Sequence, residues 1–205
     1  MTRSALALAA HMKAIPFVSC ALLLCVATIA LSQSEMRKPE GQKADAPQAS
    51  AQLAFARLKT LAGHWKGQAA MGPQPATSTA PVRVSLRVTS GGAALMHEMV
   101  PEGRSDDPSR GDDDPITMLY IDGDRLMLTH YCDGGKNRPR MVGKLSPDGK
   151  AVEFDFLDVS GGTTYGHMHR AVFTIIDANH HTEDWTYMTP ADKPDQAHID
   201  LVRTK

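Results

Sequence analysis

The sequence predicts an all-β domain: an antiparallel, up-and-down barrel of about nine or ten strands with one short helix in front of it. Three observations predict this. Apolar residues recur at every second position in short runs across the second half of the chain, the period of a half-buried strand. Turn residues punctuate those runs at the close spacing expected of sandwiches and barrels. No stretch pairs a strand with a helical crossover, so a parallel sheet has no support. A meander of hairpins this long closes most simply on itself, which removes its exposed edges.

The elements follow in chain order. Lys13 precedes Ala14 to Leu31, an apolar stretch without charge. A basic start, an apolar run and small residues at its end define a secretory signal. Ala30 and Ser32 stand at −3 and −1, so cleavage is expected between Ser32 and Gln33, which makes residues 1–32 the signal peptide. Met12 is an alternative start. An uncleaved anchor stays open, because the run is just long enough to span a bilayer. A lipoprotein site at Cys20 or Cys25 also stays open, although Phe17 and Leu24 are poor neighbours for it. Residues 33–50 are polar, carry Pro and Gly, and show no apolar period. They read as a disordered tether. The expected destination is the bacterial periplasm or the exterior.

The barrel domain is expected over residues 51–205. Leu53, Ala54, Leu58 and Leu61 share one face of a helix that Gly63 ends. Val82, Val84, Leu86 and Val88 alternate with Arg83, Ser85, Arg87 and Thr89, and Gly91-Gly92 turns the chain into residues 93–100. An acidic loop, 102–115, follows. Residues 116–121 and 125–132 form a hairpin about Asp122-Gly123, a pair suited to turns with positive φ. Residues 139–145 and 150–157 make a second hairpin about Ser146-Pro147-Asp148-Gly149. Residues 168–177 and 181–188 make a third about Ala178-Asn179, and residues 196–203 close the chain.

Charge and cysteine content exclude some classes. The chain has 205 residues, 22 Lys and Arg against 23 Asp and Glu, and a net charge of −1. Such a balance gives no footprint for nucleic acid or an anionic membrane surface. Two of the three cysteines fall in the leader, leaving Cys132 without an internal disulfide partner. Its strand neighbour Tyr131 points to the opposite face. Cys132 is expected to be buried and inert.

The segment Leu61-Ala62-Gly63-His64-Trp65-Lys66-Gly67 resembles the G-x-W signature that opens the first strand in lipocalins and the wider calycin group. In those families a short helix precedes the motif, the Trp plugs one barrel end, and a basic residue near the end of the last strand packs on its ring. The resemblance implies these structural roles for Gly63, Trp65 and Arg203, the last through a cation–π contact. The lipocalin T-D-Y turn motif and disulfide are absent, so the resemblance is to the calycin group. Residues 122–132, 166–173 and 180–188 are similar to exported bacterial proteins of uncharacterised function. Small haem-binding barrels of the nitrobindin type share this architecture and use one His as axial ligand.

Nine histidines need explaining. His97 shares a strand face with Leu95 and Met99, His130 with Leu126 and Leu128, and His169 with Phe173 and Ile175. His97, His130 and His169 are therefore the ligand-binding residues expected inside the barrel, where they could form a zinc-type site or supply a haem ligand. The alternative is that each is a hydrogen-bonded core residue, and the cofactor stays unknown. His167-x-His169 has the form of a metal pair but sits at a strand start, and His180-His181 lie at a turn. Glu98 and Asp184 could serve as acid or base beside a His. No nucleophile elbow, triad context or phosphate loop is present, so no catalytic residue is named. The loop 102–114 lacks the ligand spacing of an EF-hand. Met96, Met99, Met118, Met127, Met141 and Met168 are core filler, or the adaptable lining of a cavity. The expected function is exported binding of a small apolar or amphipathic ligand within the barrel. The alternatives are a metal- or haem-dependent protein or enzyme using the barrel histidines, and a packed structural barrel of the envelope.

Overall fold

The computed structural model describes residues 46–72, 76, 78–104, 114–132 and 134–204. The predicted signal peptide, 1–32, and the tether as far as residue 45 lie outside the described residues. The last five positions assigned to the tether are helical, because α1 runs Ala46–Lys59. Ala46, Ala49 and Ala51 have high helix propensity, and Pro47 is tolerated in a first turn whose N–H groups lack helical partners. The buried face of the helix is Ala51, Ala54, Phe55 and Leu58, whereas Leu53, expected on it, is exposed.

Ten strands follow: β1 (Gly63–Met71), β2 (Ser78–Thr89), β3 (Ala94–Pro101), β4 (Ile116–Asp122), β5 (Arg125–Tyr131), β6 (Arg138–Leu145), β7 (Ala151–Ser160), β8 (His167–Asp177), β9 (His180–Met188) and β10 (Pro194–Arg203). Each pairs antiparallel with the next, and β10 returns to β1 with Arg203 opposite Trp65, so the sheet is a closed barrel. The expected all-β, up-and-down architecture is the one observed. Hairpin chemistry sets the register where it was legible: Gly123 has φ 63° in the Asp122-Gly123 turn, which joins Ile121 opposite Leu126.

The barrel has two unlike ends. At the turn end, short connections join β2–β3, β4–β5, β6–β7 and β8–β9, and α1 packs against β4, β5 and β6. Leu58, Leu61 and Trp65 here join one core cluster with Leu95, Leu119, Leu126, Leu128, Phe154, Phe173 and Leu201. Burying each such side chain contributes roughly 1.5–3 kcal/mol. The loop end carries the longer connections, including the acidic one between β3 and β4. Gly67 is needed where β1 meets β10, because a Cβ there would collide with the Asp200 carbonyl oxygen. Cys132 differs from expectation: it is only half-buried, at an isolated bridge to Asn137 beyond the end of β5. The strand ends one residue before it, so no core face is available to cover it. Among the described residues, no helix is long and apolar enough to cross a membrane.

Candidate functional site

The barrel interior holds a polar centre built mainly from β9. Trp185 is buried, and strand period two places Glu183 and His181 on the same inward face. Glu183 and His181 are fully buried. His97 reaches across from β3, its Nε2 at 3.0 Å from Glu183 Oε2 and 3.2 Å from Oε1. His181 Nε2 lies 3.1 Å from Oε1, and Trp185 Nε1 donates to Oε2 at 3.0 Å. With Glu183 ionised, both imidazoles carry a proton on Nε2 and three N–H groups converge on one carboxylate. The Nδ1 atoms of His97 and His181 are buried without a hydrogen-bond partner.

Electrostatics keep this carboxylate charged. Burial alone would push the Glu183 carboxyl up, but the charge of the His97 ring and the hydrogen bonds from His181 and His97 outweigh it. The carboxyl is held well below the usual carboxylate range.

The centre continues towards both ends. The His181 ring meets the Trp65 ring edge-on, with centroids 4.2 Å apart. Trp65 Nε1 donates to Leu61 O at 2.8 Å, and the Arg203 guanidinium carbon sits 4.1 Å from the indole centroid. Arg203 also donates to the carbonyls of Ala62 (2.8 Å), Thr60 (3.0 Å) and Ala178 (2.9 Å), tying the end of β10 to the helix exit. Gly63 has φ 143°, and a Cβ there would strike that guanidinium. On the other side, the His97 and His130 rings flank Trp185, with centroids at 5.7 Å and 5.5 Å. His130 Nδ1 lies 2.8 Å from Thr117 Oγ1.

His97 and His130 are thus brought together around one indole, and His169 is not. A register shift between Met168 and Arg170 interrupts the alternation of β8. As a result Met168 packs against the core, while the His169 ring stacks on Phe156 at 5.1 Å and meets His167. A bulge re-aims side chains by one residue, which a strict two-residue period cannot anticipate. Among the described residues, no group of three or more His, Cys, Asp or Glu side chains is placed to hold a metal ion.

Glu183 and Trp185 are not among the residues expected at the site, and His181 is expected at a turn. A usable signal was there: Trp185 must bury its ring, so Glu183 and His181 follow it inward. Asp184 instead lies on the outer wall, its Oδ1 at 2.6 Å from His198 Nδ1, both exposed. Glu98 is also on the outer wall, in a groove of about 460 Å³ across β1–β3 whose charges, Lys66 and Arg83 against Glu102 and Asp114, largely offset one another. A second groove, about 290 Å³, crosses the outside of β8–β10 beside Arg170 and His198.

Partly buried apolar side chains stand at both ends, Ala62, Ile121 and Leu145 at the turn end and a methionine-rich set at the loop end. Met99, Met168 and Ala197 pack on the core but are only partly buried, and Met71, on the strand face of Trp65 and Ala69, is 41% exposed. Ala197 is the register partner of both Trp185 and Met71.

No protein-family model and no curated protein matches the chain. Among solved structures it is similar to Rv2717c from M. tuberculosis, with a TM-score of 0.54 and 16% identity, covering 74% of this chain and 98% of that one. A protein of unknown function from the DUF3598 family of Nostoc punctiforme matches with a TM-score of 0.48 and 12% identity, over 72% of this chain and 49% of that one. The likeness to Rv2717c is one of fold.

Proposed function

We propose that the barrel binds a small apolar or amphipathic molecule at its loop end. The observation that carries this reading is the asymmetry of closure. α1, Trp65 and Arg203 seal one end, whereas Met71, Met99, Met168 and Ala197 stay partly exposed at the other, above Trp185 and His130. A methionine rim is an adaptable apolar lining. The polar centre beneath it, His130 with Thr117 and His97 with Glu183, suits the polar end of an amphipathic guest. His97 and His130 serve in this reading as polar contacts, because each already bonds a protein partner through one ring nitrogen. The same engagement disfavours a zinc or haem centre shared by His97, His130 and His169.

Titration with the apolar fluorophore 1-anilinonaphthalene-8-sulfonate tests the reading. The wild type is expected to bind it saturably. Ala197→Trp, which adds bulk beside its register partner Trp185, is expected to weaken binding at least ten-fold, about 1.4 kcal/mol. Met99→Trp repeats the test from the facing strand. Unsaturable binding, or equal binding by both folded variants, would contradict the proposal.

We also propose that the protein is exported through the segment expected at 1–32 and acts in the periplasm or outside the cell.

A further inference from the structure

The His167-x-His169 motif, unused by the ligand-binding reading, occupies the start of β8. In the structure the two rings turn towards one another: His167 Nε2 is 3.2 Å from His169 Nδ1. Phe156 holds both in place, with ring centroids at 4.6 Å from His167 and 5.1 Å from His169, the second nearly parallel at 18°. Two nitrogens bound to one tetrahedral metal at about 2.0 Å are separated by about 3.3 Å. The pair therefore already stands at the bite of such an ion.

The softness of the surroundings selects the ion. Met188 is the register partner of His167 on β9. Directly opposed residues of an antiparallel pair share a face, so the Met188 thioether leaves the sheet on the side of His167. Two imidazoles with a thioether suit copper better than zinc. All three residues are half-buried, so the position is shielded yet reachable from solvent.

We infer that His167 and His169, with Met188 beside them, form a copper-binding site at the loop end of the barrel, separate from the Trp185 centre. Binding needs both facing lone pairs. The ring that holds its proton on the facing nitrogen therefore moves it to its other nitrogen. The remaining coordination positions are open to solvent or a small anion.

The test uses the full chain, stripped with a chelator and titrated with Cu(II), and with Cu(I) against a chromogenic competitor. One equivalent is expected to bind, with Cu(II) resonance spectra showing two coupled imidazole nitrogens. His167→Gln and His169→Gln should each weaken binding at least ten-fold. His180→Gln and His198→Gln, on the outer wall, should leave it unchanged, and Met188→Leu should weaken Cu(I) binding while sparing that of Zn(II). Absence of binding in the wild type, or retention of full affinity by the His167 and His169 variants, overturns the site. Equal Cu(I) affinity in the Met188 variant overturns its preference for copper.

Discussion

Glu183→Ala is expected to lower unfolding free energy by about 3–5 kcal/mol, the usual cost of removing one partner from a buried charged group. The substitution leaves Nε2 of His97 and His181 and Nε1 of Trp185 without their common acceptor, in a part of the barrel closed to water. Against a total stability of about 5–15 kcal/mol for a domain, that loss is large. Glu183→Gln keeps the volume and one acceptor oxygen, so a smaller cost of about 1–3 kcal/mol is expected. The two variants should also differ from the wild type in their response to acid. Because the folded carboxyl is held below its unfolded value, its stabilising contribution is complete above about pH 5 and is lost progressively as pH falls towards the folded value. Urea unfolding at a series of pH values should show a steep acid limb for the wild type and a shallower one for Glu183→Gln. Parallel limbs would mean that Glu183 is not ionised in the fold.

Trp65→Ala is the second large effect, expected at about 3–5 kcal/mol. The indole is almost completely buried, supplies the edge contact to His181, and is the platform under Arg203. Its loss opens the turn end and also leaves Leu61 O without its donor. Trp65 and Glu183 communicate through His181, so Trp65→Ala and Glu183→Ala should combine to less than the sum of their separate costs. A denaturation midpoint for Trp65→Ala near that of the wild type would show that the end is sealed by α1 alone.

The fold was legible where side-chain chemistry and backbone period agree. The alternation of Val82, Val84 and Leu86, the Asp122-Gly123 turn and the Gly63–Trp65 motif each specify a local geometry that the closed barrel keeps. The geometry of Arg203 over Trp65 followed from a resemblance, and the contact is present at 4.1 Å. The interior centre was harder to read because a hydrophobic period is blind to polar residues on the inward face. Thr182 to Thr186 looks polar throughout, and only the bulk of Trp185 betrays which way Glu183 points. His169 was misleading for a different reason: the register shift after Met168 breaks the period at the residue in question. Cys132 is half-exposed because β5 ends at Tyr131, a boundary that depends on pairing with β6 and not on residue type.

A ligand site at the loop end is the central claim, and native mass spectrometry of the protein purified from the organism that makes it tests that claim most directly. The predicted spectrum shows a chain beginning at Gln33 with an added mass of a few hundred daltons, on the scale of a ligand that such a pocket encloses. Denaturation should release the added mass, and Ala197→Trp should prevent its capture. A bare chain mass under native conditions, together with no saturable probe binding, would contradict the account and leave a barrel that is packed for structure alone.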